Sequence, residues 1–210
     1  MEHTKSESIP GILVSLDFRK AFDSLEWSFM MKVLDIFNFG TSIKRWISTF
    51  YTNIESAAIN NGFMTNWFRP SRGVCQGCPL SPYLFVLSTE VLSSKIRQEP
   101  SITGIKIFGH DIKLSQFADD TNLFCANLIS VENALKTVED FGRLAGLKLN
   151  IKKSKAIWLG KWEKNKSYPL QLKWLHSPVR LLGIHVSYDE KGNNELIEFQ
   201  SENTKTSNKP

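Results

Sequence analysis

The chain is poor in cysteine: Cys75, Cys78 and Cys125 are the only three in 210 residues. That is too few for a disulfide framework, so we expect free thiols in a reducing, intracellular setting. A four-thiolate zinc site is excluded by the same count, although Cys75-Gln76-Gly77-Cys78 has the spacing of metal and redox sites. No segment reaches the ~20 apolar residues that a membrane-spanning helix needs, and no membrane partner is expected. The opening Met1-Glu2-His3-Thr4-Lys5-Ser6 has no apolar core behind a basic start, which argues against a secretory leader. Acids are nearly missing from residues 141–180, where ten Lys and Arg face the single Glu163. That stretch is net +9 in a chain of net +5, leaving net −4 elsewhere. Such a division suits a protein that grips a phosphate backbone in one place and holds cations in another. A solvated lysine-rich face is the plainer alternative.

What is present suffices for a core: 41% of residues are hydrophobic and 22% charged, as in ordinary globular proteins. The apolar run over 12–18 predicts a buried strand ending at Asp17 and Phe18. Helical periodicity predicts helices over 25–37, 42–51, 82–97 and 131–145, the third with Pro79 and Pro82 at its start and the last closed by Gly146. Hairpins are predicted over 54–68, around Asn60-Asn61-Gly62, and over 105–117, around Gly109-His110-Asp111. Further strands are expected over 121–125, 156–159, 170–175 and 179–186. The element order predicts an α+β fold with a sheet packed on helices. Residues 1–188 read as one domain, and 189–210 as a polar tail without sustained periodicity.

The chemistry concentrates in Gln116-Phe117-Ala118-Asp119-Asp120-Thr121, where apolar residues flank two adjacent carboxylates. Asp17 ends the apolar run Gly11-Ile12-Leu13-Val14-Ser15-Leu16 far upstream. Three carboxylates at the ends of two hydrophobic strands repel one another unless a cation sits between them, so the pattern argues for a divalent metal. For a lone strand-end Asp the alternative is a turn or cap residue, the reading favoured for Asp23.

Four stretches resemble successive motifs of a reverse transcriptase of the LINE-like, non-LTR retrotransposon type. They are Ser15-Leu16-Asp17-Phe18-Arg19-Lys20-Ala21-Phe22-Asp23, Gln76-Gly77-Cys78-Pro79-Leu80-Ser81-Pro82, Phe117-Ala118-Asp119-Asp120, and Gly146-Leu147-Lys148-Leu149-Asn150 with Lys153-Ser154. A fifth, Arg180-Leu181-Leu182-Gly183-Ile184, is similar to the strand that supports the primer end. The resemblance implies a right-hand polymerase palm, an antiparallel sheet packed on helices, with part of the fingers and no thumb. It implies RNA-directed DNA synthesis on an RNA template and DNA primer from deoxynucleoside triphosphates. It also implies two Mg²⁺ ions, with Mn²⁺ as an alternative, held by Asp17 and Asp119 with Asp120 assisting.

By the same resemblance, Phe22 blocks a 2′ hydroxyl, and Phe18, Gln76 and Gly77 contact the nucleotide. Pro79, Ser81, Pro82, Leu182 and Gly183 position primer and template, and Lys153 protonates the leaving pyrophosphate. Several assignments have alternatives: a core aromatic for Phe22, a helix start for Pro79 and Pro82, and Lys152 or a plain surface lysine for Lys153. Trp158, Trp162 and Trp174 punctuate the basic zone and either stack on bases or belong to the core. Cys75 and Leu181 depart from the family pattern, which commonly has a basic residue and an aromatic there. With only ten residues before Gly11, an isolated chain is expected to be catalytically impaired, and nuclear action is implied only by the family's lifestyle. The alternative is a non-catalytic, nucleic-acid-binding remnant. A phosphoryl-transfer receiver domain is disfavoured because its aspartate pair comes first in the chain and its sheet is parallel.

Overall fold

A computed structural model describes residues 9–162, 164–167, 169–175, 179–181 and 184–186. The first strand, β1 (Gly11–Leu16), is followed by β2 (Phe18–Arg19) and a one-turn helix α1 (Ala21–Ser24). Helices α2 (Trp27–Ile36) and α3 (Thr41–Phe50) lead to a small hairpin, β3 (Ile59–Asn60) and β4 (Phe63–Met64). The long helix α4 (Ser81–Gln98) precedes β5 (Ile105–Ile107), β6 (His110–Ile112), β7 (Leu114–Phe117) and β8 (Asp120–Cys125). Helix α5 (Leu128–Ala145) is followed by β9 (Lys148–Leu149), β10 (Lys155–Leu159), β11 (Lys173–Trp174), β12 (Val179–Leu181) and β13 (Ile184–Val186).

The main sheet has the order β11-β10-β1-β8-β7, antiparallel throughout except where β10 and β11 run parallel. β1 lies in its middle and is buried on both faces, which explains why its sequence is continuously apolar rather than alternating. Ile12, Val14, Leu123, Cys125 and Ala156 point toward the helices and join Leu34, Phe85, Leu92 and Val138 in the main core. Leu13, Ile157 and Leu159 face the other way and form a satellite cluster with Ile105 of the β5–β6 hairpin. Each such fully buried aliphatic side chain contributes about 1.5–3 kcal/mol relative to exposure.

Local signals account for the boundaries of α5. The Asn127 side chain accepts a hydrogen bond from the Ser130 amide at its start, and Gly146 takes φ +80° at its end. Helix α4 has Pro82 in its first turn, and at its C-terminal end the Lys113 ammonium donates to the carbonyls of Arg97 and Glu99.

Two expectations are corrected. The hairpin predicted over 105–117 is really two pairings: β5 with β6, and β7 with β8. Its turn is Phe108-Gly109, both left-handed, as the tightest hairpin connection demands. The chain then breaks step at Lys113, whose carbonyl accepts from the Phe124 amide. The strand predicted over 170–175 shrinks to two residues, because Leu170 and Gln171 adopt left-handed conformations that no strand accommodates. The predicted primer-supporting pair Leu182 and Gly183, and the tail over 189–210, lie outside the described residues.

Candidate active site

Asp17 stands immediately beyond β1. The last registered pair between β1 and β8 is Leu16 with Thr121, so continuing the register places Asp17 opposite Asp120. Asp119 lies in the two-residue turn Ala118-Asp119 between β7 and β8, closed by the pair Phe117 with Asp120. Ala118 holds φ +52° there, a left-handed conformation that costs a non-glycine residue on the order of 1–3 kcal/mol. The turn is braced from behind by Gln116. Its amide donates to the Thr121 hydroxyl at 3.1 Å and to the Ala118 carbonyl at 3.5 Å, while its carbonyl oxygen accepts from the Ser93 hydroxyl of α4.

Asp17 is half-buried, whereas Asp119 and Asp120 are exposed. Among the described residues, no three His, Cys, Asp or Glu side chains are grouped so as to hold a metal ion. The backbone therefore delivers the three carboxylates to one end of the sheet without closing them into a cage. The donor set itself, carboxylate oxygens alone, is of the hard kind that suits Mg²⁺.

The backbone of Asp17 is fixed by residues far along the chain. Its amide donates to the Ser154 hydroxyl at 3.2 Å, and its carbonyl accepts from the Asn150 amide at 2.7 Å. The Ser154 hydroxyl in turn donates to the Asn150 carbonyl at 3.0 Å, and Ser154 is fully buried. Sequence reasoning placed Asn150 and Ser154 in a motif without seeing this clamp. The signal was their proximity to Lys153, but a bond spanning 137 residues has no local trace. Lys153 itself is exposed on the turn between β9 and β10.

A cavity of about 380 Å³ opens beside the turn, lined by Phe22, Cys75, Gln76, Gly77, Ser81, Pro82 and Asp119. Six of the residues singled out from the sequence thus meet at one surface. Phe18 is not among them: half-buried, it pairs with Leu149 and packs on the main core. Pro79 is exposed in the segment leading into α4. Phe22 stacks on Phe85 of α4, with ring centroids 4.4 Å apart and planes 11° apart. The short helix bearing it is held by two glycines. The Phe22 carbonyl accepts from Val74 and the Leu25 carbonyl from Gly73, each at 2.7 Å. A Cβ on Gly73 would meet the Asp23 backbone at 2.8 Å, and one on Gly146 would meet the Ser24 carbonyl at 2.4 Å. Both glycines also have positive φ, so the contact needs them twice over.

The three tryptophans resolve in favour of the core. Trp158 stacks on Trp174 at 4.4 Å and meets Trp162 edge-on at 5.8 Å. Two of the indole N–H groups are also engaged: Trp158 donates to the Ser167 carbonyl and Trp174 to that of Pro169.

An antiparallel sheet on helices, with an aspartate pair at a β-turn facing an upstream strand-end aspartate, defines a polymerase palm. The profile of the family described as reverse transcriptase (RNA-dependent DNA polymerase) matches residues 2–186, and the chain belongs to that family. An R2 retrotransposable-element Pol polyprotein from Popillia japonica is 34% identical over 146 residues, covering 69% of this chain and 20% of its own length. The R2DM polyprotein of Drosophila melanogaster is 31% identical over 153 residues, covering 73% and 14%. A transposon TX1 protein of Xenopus laevis is 28% identical over 181 residues, covering 84% and 14%. The chain therefore spans a fifth or less of these relatives. Among solved structures, a telomerase from Candida tropicalis in complex with a fragment of telomeric RNA shares the fold, with TM-score 0.56 at 16% identity over 88% of this chain and 29% of its own. This is a LINE-like, non-LTR reverse transcriptase domain, of a family whose polymerases generally use divalent metals.

Proposed function

We propose that the chain forms the catalytic palm of an RNA-directed DNA polymerase, extending a DNA primer on an RNA template from deoxynucleoside triphosphates. The observation that carries this reading is the cavity where Phe22, Gln76 and Gly77 stand with Asp119 of the β7–β8 turn. Asp17, Asp119 and Asp120 would hold two Mg²⁺ ions, which supply charge neutralisation and activation of the primer hydroxyl. Around them, this chain's residues position and exclude. The Phe85 stack holds the Phe22 ring at the cavity wall, where it would clash with a 2′ hydroxyl. Gln76 and Gly77 offer a close-fitting surface for the incoming base. Lys153, on a turn tied to the Asp17 backbone through Asn150 and Ser154, would donate a proton to the departing pyrophosphate. The exposed lysines after α5 would follow the nucleic-acid backbone. Such a domain would act in the nucleus, as part of a longer retrotransposon protein.

Primer extension on an RNA template tests this, using the chain alone and the chain joined to the flanking regions of an R2-type relative. The joined protein is expected to incorporate nucleotides and its Asp119→Asn variant to lose at least about 10³-fold. Equal activity of the two would end the catalytic assignment. A second reading, a non-catalytic nucleic-acid-binding remnant, draws on the open arrangement of the three carboxylates. It predicts salt-sensitive RNA binding that ignores Mg²⁺ and survives the loss of Asp119.

A further inference from the structure

The polymerase reading leaves the two exposed thiols at the start of α4 without a role. We propose that Cys75 and Cys78 form a reversible dithiol–disulfide couple whose closure locks the Gln76-Gly77 turn at the rim of the cavity. Both are free in the structure and both are exposed, whereas Cys125 is buried. The Cys78 amide donates to the Cys75 carbonyl at 3.3 Å, and Gly77 takes φ +86°, so the four residues make a tight turn. Such a turn brings its first and fourth Cα atoms within about 7 Å. A disulfide spans Cα separations of about 4.4–6.8 Å, so closure asks for little backbone movement.

The two sulfurs differ in environment. Hydrogen bonds from the Leu80 backbone and the Ser81 hydroxyl, where the 18-residue α4 begins, hold the Cys78 thiol below its ordinary range. Cys78 is therefore the attacking sulfur and Cys75 the resolving one. Burial pushes Cys125 up to about 12, which keeps it silent. The oxidant is a small disulfide such as oxidised glutathione. The Cys78 thiolate attacks one of its sulfurs, the S–S bond breaks, and one glutathione thiolate leaves. The Cys75 thiolate, having given its proton to water, then attacks the Cys78 sulfur and expels the second. Both leaving thiolates take up protons, so the chain loses two hydrogens and oxidised glutathione becomes two reduced molecules. Transient, redox-responsive disulfides of this kind occur in otherwise reducing compartments.

The test uses the intact chain in glutathione buffers of graded poise, with acid quench, maleimide alkylation and mass spectrometry. Two of the three thiols should disappear together into one intramolecular bond that dithiothreitol reverses. Cys75→Ser should stop at a mixed disulfide carrying one glutathione on Cys78, and Cys78→Ser should react about tenfold more slowly than the parent. Amide hydrogen exchange at Gln76 and Gly77 should slow several-fold on oxidation. Independent loss of the two thiols, cross-linking between chains, the same product from Cys75→Ser as from the parent, or unchanged exchange would each overturn the proposal. Every readout is sulfur chemistry or backbone exchange, so a failure here is distinguishable from a failure of the polymerase reading.

Discussion

The sheet with helices α2, α4 and α5 and the segment running from the end of α2 to residue 68 are both rich in apolar residues, yet they use them in opposite ways. In β1 every residue from Gly11 to Val14 is buried, and α4 and α5 each bury eight residues. Among the described residues, sixteen large hydrophobic side chains are exposed and ten of them lie between Ile36 and Phe68, so the difference is regional rather than scattered. Helix α3 shows the contrast most plainly. Ile43, Trp46, Ile47 and Phe50 follow helical spacing and form one apolar stripe, but only Ile47 is buried, and Trp46 remains 67% exposed. An amphipathic pattern specifies the element and the face it offers. Burial needs a second surface, and among the described residues α3 finds little of one. Exposed apolar stripes of this kind mark places where other surfaces dock.

The comparison is open to direct attack. Ile12→Ala, in the centre of the sheet, should cost about 2–5 kcal/mol in urea unfolding, while Trp46→Ala should stay within about 0.5 kcal/mol. Equal costs would erase the distinction between the regions. A pH series sharpens it from another side. Burial raises the Cys125 thiol from 9.0 to about 12, so the folded chain keeps a proton that the unfolded chain releases. That contribution is fully present below pH 9 and is lost as pH rises toward 12, at up to about 1.4 kcal/mol per pH unit. Cys125→Ala should flatten this slope, whereas removal of the exposed Cys75 should leave it unchanged.

Smaller effects concern the joints of the site. Gly146→Ala forces a side chain into a left-handed position against the Ser24 carbonyl and should cost about 1–3 kcal/mol, measured by thermal unfolding. Ser154→Ala removes the acceptor of the Asp17 amide and should cost about 1–2 kcal/mol, with faster exchange at that amide as the specific readout. At the bottom of the scale, Phe63→Ser on the exposed β3–β4 hairpin should change stability by less than about 0.5 kcal/mol while raising solubility. A large loss there would mean that the hairpin is packed in solution.

Much of the architecture was legible because it rests on local pattern. The apolar run of β1, the stripes of α4 and α5, and the Gly146 cap all leave their mark within a few residues, whereas the start of α5 at Leu128, capped by Asn127, lies three residues before the expected one. In the 105–117 region the hairpin turn was legible, but not the break at Lys113 that divides its second strand, so that β6 pairs with β5 and β7 with β8. Helix α1 went unseen because a single turn has no period to detect; it exists because Gly73 and Gly146 leave room for it.

By itself the sequence determined the reactive groups and their local settings: a carboxylate at the end of an apolar strand, a pair of them at a turn, a gate-sized aromatic five residues after the first, thiols at i and i+3. Short-range sterics and hydrogen bonding are enough for that. Only the tertiary structure decided that the strand ending at Asp17 pairs with β8 as far as Leu16 and Thr121, that Phe22 shares a cavity with Gln76 and Asp119, and that Ser154 holds the Asp17 backbone. These pairings join residues scores of positions apart, and their energies exist only once the sheet and its helices have packed together.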